Sequence, residues 1–483
     1  MSSELKISVV SGIKWLAFSK ALIQLFRWVS TLWVIRLLSA EDYGIIAIAE
    51  IMASLLASVN FLCIGNIIIR FKTVSKPVMD TLFTCCLLIG IGLFCLQFFS
   101  AGYFAQFYQT PEAELVLQVT ALTYLIAAVN VKPMALLAKQ MQFKQLAKID
   151  MTAGIAMTIS VLICAYAGMG YWSLAVGSLV NIVAITSMAN YFHKSSFKFA
   201  TRFKRVLPLL KFGLQNTGSS IIAQINNSLD FIIGGQIFTT SQIGSYQVGL
   251  QVSYIPLRKI SPELRRIAFS AFSKINNDRV RVTSYYLKSS KFISIVVFPL
   301  FWGLGIMAES VVEVILTNEW IESAAVIQVI CFALPFKLLT EKTNTTLNAM
   351  GRADILLKTS LFASLMFLVI LPLTLHIGIA GLAYAWFFSI LLTYLLVIYH
   401  LGKILPVNIV QILFNYDTAI ISSIFMLISV YGFSIIFTSF TVFTMLSQIV
   451  VGIVVYFAVI LVFYRPIFLE FRQLISNSRP KTS

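Results

Sequence analysis

Charge is scarce in this chain. Asp, Glu, Lys and Arg make up 11% of its 483 residues, too few to cover the surface of a water-soluble fold of that size. Hydrophobic residues account for 59%, which places the chain in the membrane class before any motif is considered. Acidic residues are the scarcest of the charged set, 19 against 36 Lys plus Arg, leaving a net charge of +17. In a soluble protein that excess would point to nucleic acid. Here the cations are scattered among short loops, so topology and anionic lipid headgroups explain them and no nucleic-acid partner is expected. Histidine occurs three times and cysteine six times. Cys63, Cys85, Cys86, Cys95, Cys164 and Cys331 fall in apolar stretches without metal-ligand spacing or a disulfide framework, so they read as packing residues, and no metal or cofactor is expected. Lys6 and Lys14 lie near the start, but no short apolar segment with a small-residue cleavage site precedes the first span, so the first helix is expected to be retained.

Long apolar runs are what the chain has in abundance. A membrane span needs ~20 mostly apolar residues, and such runs occur at 12–38, 43–69, 79–101, 113–138, 149–168, 171–192, 212–238, 243–272, 289–315, 322–349, 355–376, 378–400, 412–437 and 442–464, fourteen in all. With the N-terminus inside, about 26 of the 36 basic residues fall in inner loops, in tails or at the inner ends of spans. The outer loops (SAEDYG, FAQFYQTPEAE, GMGY, TTSQIG, TNEWIE, HIG, TSFT) contain none. That asymmetry predicts both termini on the cytoplasmic side. Because the outer loops are short, no extracytoplasmic domain is available to house an active site.

Segments recur at a nearly constant offset. LLSAEDYGII (37–46) overlays IFTTSQIGSY (237–246), placing Gly44 on Gly244. LQV (117–119) overlays IQV (327–329), Lys132 falls on Lys342 and Lys148 on Lys358, and GYWSLAVG (170–177) overlays GIAGLAYA (378–385). Offsets of 200, 210 and 208 residues imply two six-helix halves in the same orientation, the arrangement of parallel transporter repeats with a substrate site between them. The expected organisation is an N-terminal bundle at 1–192, a basic cytoplasmic linker at 193–211, a second bundle at 212–400, and two extra helices with a tail at 401–483.

Ten basic residues remain inside spans: Lys20, Arg27, Arg36, Lys132, Arg258, Lys259, Arg265, Arg266, Lys337 and Lys342. A charge at the centre of a span costs ~2.5 to 3.5 kcal/mol on insertion scales, so these residues either snorkel or face a wet interior. Arg36, Arg265, Arg266 and Lys342 lie near interfaces. Lys20, Gln24 and Arg27 form one stripe on the first helix, which in a bilayer must line a cavity. Arg258 sits beside Pro256 and Pro262, which are able to break its helix, and Lys132 precedes Pro133. Glu263, four residues after Lys259, and Glu341, four after Lys337, are placed to neutralise those neighbours. For Glu50 and Asp230 the sequence offers no basic residue one turn away. Asp230 ends a polar face with Asn216, Ser219, Ser220, Asn226 and Asn227, suited to sugar hydroxyls, to a cation, or only to helix–helix adhesion. A predominantly basic interior suits an anionic cargo such as a phosphate or diphosphate.

RLLSAEDYGIIAIA (36–49), FYQTPE (107–112), KPMALLAKQMQFKQLAKID (132–150), GYWSLAVG (170–177), LLKFGLQNTGSSIIAQINNSLDFIIGGQ (209–236), FSAFSKINND (269–278), NEW (318–320) and AMGRAD (349–354) follow one another in an order and spacing that resembles Wzx-type oligosaccharide flippases. These form the polysaccharide-export branch of the multidrug/oligosaccharidyl-lipid/polysaccharide superfamily, and the resemblance covers roughly residues 10 to 400. It implies an all-α integral membrane fold of about fourteen transmembrane helices, two parallel-related six-helix bundles plus two C-terminal helices. It also implies flipping of undecaprenyl-diphosphate-linked oligosaccharide across the bacterial inner membrane for surface polysaccharide such as O-antigen, lipopolysaccharide or exopolysaccharide. Alternating access coupled to an ion gradient would drive the step. The implied partners are the polyprenyl-diphosphate-linked glycan, membrane lipids and other polysaccharide assembly proteins. In that scheme Lys20, Arg27, Lys132, Arg258 and Lys342 neutralise the diphosphate, Gln24, Asn226 and Asn227 line the glycan cavity, and Asp230 or Glu50 binds the coupling ion. Where the family often carries a basic residue before the NLD-like element of the seventh helix, this chain has Asn226 and Asn227, one anion contact fewer. Two rival readings are a cation-coupled multidrug exporter of the same superfamily, which would favour an acidic cavity, and a membrane glycosyltransferase or polymerase, which would need a loop domain bearing acid, base or metal residues.

Overall fold

The computed structural model describes residues 28–60, 62–70, 75–194, 198–437 and 439–463. Every regular element among them is helical. The described part of the first span is α1 (Trp28–Leu37). The second span is filled by α2 (Ala40–Asn60) and α3 (Leu62–Arg70), the third by α4 (Lys76–Phe107), and the fourth by α5 (Glu112–Thr120) and α6 (Leu122–Lys139). Then come α7 (Phe143–Tyr166), α8 (Trp172–Phe192), α9 (Phe203–Ile237), α10 (Thr240–Ser273), α11 (Arg279–Ile306) with α12 (Ala308–Ile315), α13 (Ile321–Ala349), α14 (Ala353–Thr374) and α15 (Ile379–Gly402). A short α16 (Ile409–Phe414) precedes α17 (Asp417–Ile436) and α18 (Val442–Phe463).

Eleven spans among the described residues are long and apolar enough to cross a bilayer, so the chain is a multi-pass membrane protein. Polar side chains keep α9 and α10 out of that set, although at 35 and 34 residues each is ~50 Å long at ~1.5 Å per residue and exceeds the ~30 Å hydrocarbon core. Pro256 and Pro262 are able to break a helix but do not do so here: α10 is helical through both. Each proline withdraws one N–H from the ladder, and the flanking helix retains the rest.

The chain forms two compact units, Met1–Gly244 and Ser245–Ser483. In the first, α2 and α3 pack on α9, α4 packs on α6, and α7 lies along α8. Ile64, Ile67, Leu82, Cys86, Ala128 and Val206 make one of its cores. Two corresponding helix starts meet in this unit. Ser39 and Asp42 cap α2 reciprocally, Ser39 N–H donating to Asp42 Oδ2 at 2.9 Å and Asp42 N–H to Ser39 Oγ at 3.1 Å. Thr239 and Gln242 repeat the device on α10 at 3.2 and 3.3 Å. One turn further in, a β-carbon on Gly44 would lie 1.8 Å from the Thr240 carbonyl oxygen, and one on Gly244 would lie 1.7 Å from the Ala40 carbonyl oxygen. The contact is reciprocal between residues 200 positions apart, as two copies of one element related by a twofold axis would make it.

In the second unit α13 is the buried centre, with Ile327, Ile330, Leu334 and Leu338 among its buried residues, and α11, α14 and α15 pack around it. Its core includes Phe298, Leu339, Leu347, Val397, Ile398 and Leu401. The last helix leaves Phe443, Val450, Val454, Phe457 and Val462 exposed, the outward apolar surface that a hydrocarbon solvent requires.

Candidate functional site

Within the first unit, α4 and α6 bring Asp80 and Lys132 together. The lysine Nζ donates to Asp80 Oδ1 at 3.2 Å, and the two side chains are 8% and 16% exposed. The ammonium also lies 6.0 Å from the centre of the Phe83 ring. Lys132, expected as a diphosphate ligand, is thus neutralised by an aspartate that sequence reasoning left out. The missed signal was Asp80 itself, an acid one turn inside the third span. A second polar node was also missed. The Gln97 amide donates to the Leu117 carbonyl at 2.7 Å and to Thr120 Oγ1 at 3.1 Å, while the Tyr124 hydroxyl donates to Gln97 Oε1 at 2.7 Å. A lone glutamine in an apolar run was the available clue.

The polar face expected on α9 is present in part. Asp230 is buried and accepts the Phe231 N–H at 3.0 Å, Asn226 is half-buried, and Asn227 is exposed. Gln224 donates to Ser228 at 3.0 Å along the same helix. Glu50 is exposed on α2, the helix that packs against α9. Beside them the Tyr108 ring occupies the space a side chain at Gly235 would need, 2.9 Å from the β-carbon position, and its hydroxyl donates to the Ile232 carbonyl at 3.2 Å. Lys20, Gln24 and Arg27 lie outside the described residues.

Within the second unit, α10 and α13 share a polar seam. Lys337 donates to the Tyr254 hydroxyl at 2.9 Å with its Nζ 4.8 Å from that ring, and Glu341 accepts from the Ser261 hydroxyl. These two residues were expected to neutralise one another along α13; both reach across to α10 instead. Arg258 falls between Tyr254 and Ser261 on the same face of α10 and is exposed. Glu263 accepts from Arg266 at 2.6 Å, a pair whose side chains are 62% and 78% exposed and therefore contributes little. Lys342 is sealed: it is 1% exposed and donates to the Tyr286 carbonyl at 2.8 Å and to Ser290 Oγ. The unit therefore leaves Arg258 exposed and seals Lys342. The described residues contain no cluster of three or more His, Cys, Asp or Glu able to hold a metal, and Cys85, Cys86, Cys95, Cys164 and Cys331 are unbridged.

The family model for polysaccharide biosynthesis proteins matches residues 34–325, more than half of the chain. The chain belongs to that family. Among curated relatives, it is 24% identical to the lipopolysaccharide biosynthesis protein WzxC of Escherichia coli K12 over 370 residues, 75% of this chain and 74% of WzxC. It is 23% identical to the teichuronic acid biosynthesis protein TuaB of Bacillus subtilis 168 over 363 residues, 72% of each. The fold is shared with the lipid II flippase MurJ in an inward closed conformation, with a TM-score of 0.76 and 16% identity over 93% of this chain and 99% of MurJ. A multidrug resistance MATE family transporter in an inward-facing conformation matches at a TM-score of 0.58 and 13% identity, over 82% and 94%. The family places this chain in polysaccharide biosynthesis, and both structural likenesses give it a transporter fold.

Proposed function

We propose that the chain is a flippase that moves undecaprenyl-diphosphate-linked oligosaccharide repeat units across the bacterial inner membrane for surface polysaccharide assembly. The observation that carries this reading is the family match, taken with the chain's make-up. A polysaccharide biosynthesis protein that is nearly all membrane helix, with outer loops no longer than about eleven residues, is built to pass an intermediate across the bilayer. Two halves in parallel orientation suit alternating access, each conformation favoured by the ligand that binds it better. Both termini face the cytoplasm in this reading, because the basic loops do.

The diphosphate is assigned to Lys20, Arg27 and Arg258. Arg258 is exposed on its helix, and a guanidinium is able to hold a diphosphate oxygen pair in bidentate fashion. Lys132 and Lys342 were grouped with these three; in this structure Lys132 is held by Asp80 and Lys342 by the Tyr286 carbonyl, so each would have to leave that partner to meet the diphosphate. Gln24, Asn226 and Asn227 are assigned to glycan hydroxyls. Asp230 or Glu50 is assigned to the coupling ion, a proton or sodium. The polyprenyl tail stays in lipid throughout, and other assembly proteins that make or use the glycan are the further partners.

The test is complementation of a strain lacking its own flippase, with a panel of defined lipid-linked glycans. Restored surface polysaccharide for at least one glycan supports the reading. Failure with the whole panel, together with acquired resistance to cationic drugs, would transfer the chain to the exporter branch.

A further inference from the structure

The two halves carry the same lysine in different company. Lys132 on α6 reaches back 52 residues to Asp80 on α4. Lys342 on α13 reaches back 52 residues to Ser290 on α11. Both members of the second pair lie 210 positions after those of the first, the offset that relates LQV to IQV. The internal repeat therefore extends to a tertiary contact, in which Asp80 and Ser290 hold one position. The first half fills it with a carboxylate. The second fills it with a hydroxyl.

What surrounds Lys342 is polar but carries no opposite charge. Besides Ser290 and the Tyr286 carbonyl, its Nζ lies 4.1 Å from the centre of the Tyr286 ring. The Tyr286 hydroxyl is 2.8 Å from Thr343 Oγ1, and Tyr394 donates to Tyr416 at 2.8 Å. The Tyr416 hydroxyl also interacts with Ser290 and Tyr286. Among the described residues Lys342 forms no ion pair. Charged groups on the neighbouring elements have other contacts or are exposed. Glu341 takes the Ser261 hydroxyl, Lys337 reaches Tyr254, Asp417 caps Thr418, and Arg352 pairs with Asp354. Lys288 and Lys358 are exposed, Lys291 is half-buried, and His400 and Lys403 lie beside Tyr399 at the far end of α15. The titratable groups that face Lys342 are Tyr286 of α11, Tyr394 of α15 and Tyr416 at the start of α17.

We infer that Lys342 is a proton-binding site built into the second half, loaded and unloaded as the Tyr286–Ser290–Tyr416 cluster around it opens and closes. The step is balanced by the solvent: the amine lone pair takes one proton from a hydronium ion in water admitted to the opened cluster, an N–H bond forming as one O–H bond breaks to leave water, and the ammonium later returns a proton to water to leave hydronium. Charge on that nitrogen has no carboxylate to offset its desolvation, so the sealed and the water-filled packings hold the proton unequally, and proton concentration shifts the balance between them. At Lys132 the Asp80 carboxylate cancels this dependence. The site is separate from Asp230 and Glu50, and the inference stands whatever the cargo.

The experiment is hydrogen–deuterium exchange of the full-length protein in lipid nanodiscs, at several pH values across the neutral range and corrected for chemical exchange. Wild type is expected to change protection over 283–294 and 338–347 about tenfold with pH. Lys342→Met removes the proton site and Ser290→Asp supplies the missing counter-charge, and each should flatten that dependence. Asp80→Asn should create one over 78–88 and 128–136. Ser290→Asp keeps the lysine and so covers the case in which Lys342→Met does not fold. A flat wild-type profile, or a dependence that persists in the folded variants at position 342 or 290, would overturn the inference.

Discussion

A single methyl group at Gly44 has nowhere to go. Its carbon would stand 1.8 Å from the Thr240 carbonyl oxygen, whereas β-carbons are essentially never found within 3.0 Å of another heavy atom, so the start of α10 must retreat by roughly 1.2 Å. The obstacle is backbone, which has no rotamer to change. Overpacking of this kind costs ~1 to 3 kcal/mol, and the upper end applies because two capped helix starts must separate. Alanine's better helix propensity returns at most ~1 kcal/mol, leaving a net loss of ~2 kcal/mol for Gly44→Ala. The control is Gly92→Ala inside α4, where a β-carbon meets nothing within 4 Å and only the propensity gain of up to ~1 kcal/mol remains. Unfolding of the purified proteins in one detergent, followed by circular dichroism, should therefore separate the two variants by ~3 kcal/mol. Gly244→Ala should resemble Gly44→Ala. The double variant should cost less than the sum, because the first displacement makes room for the second methyl. Equal stability of Gly44→Ala and Gly92→Ala would refute the close crossing of α2 and α10.

Three further outcomes are expected. Asp80→Ala removes the carboxylate that pairs with the Lys132 ammonium and should cost ~3 to 5 kcal/mol in unfolding, whereas Asp80→Leu combined with Lys132→Met should recover most of the loss; two equally unstable proteins would remove the pair from the account. Gln97→Leu removes the 2.7 Å acceptor of the Tyr124 hydroxyl, which keeps the Ala53 carbonyl at 3.0 Å, so the cost should be only ~0.5 to 1.5 kcal/mol, read by the same unfolding assay. Arg258→Ala and Arg27→Ala should each abolish glycan export while membrane levels of the protein stay at wild type, as judged by immunoblot and surface-polysaccharide staining. Normal export in both would sink the anion site.

Hydrophobic run length and loop charge were enough to place the helices, because lipid forces each backbone polar group to be satisfied within its own segment. Even α9 and α10, whose polar residues dilute the signal, come out as long helices where spans were expected. The repeat was legible as well, from Gly44 on Gly244 and Lys132 on Lys342. Its meaning was not. Sequence spacing reports neighbours along one helix, and by that rule Lys337 belonged to Glu341. The structure sends both to α10, to partners about eighty residues away. Likewise nothing local marks Lys132 as paired and Lys342 as sealed, since each is anchored by a residue 52 positions earlier on another helix. Composition of the interior can be read from a sequence; which of its charges face water depends on helix rotation, which hydrophobicity in an almost uniformly apolar chain leaves undetermined.

The most direct measurement is translocation itself. The purified chain would be reconstituted into vesicles holding a fluorescent polyprenyl-diphosphate oligosaccharide, and a membrane-impermeant reagent would report the share of glycan in each leaflet over time. The account predicts that wild-type protein equilibrates the glycan between leaflets much faster than protein-free vesicles, and that Arg258→Ala does not. Vesicles in which wild-type protein leaves the glycan in its original leaflet, for a cargo whose export the same chain supports in cells, would contradict it.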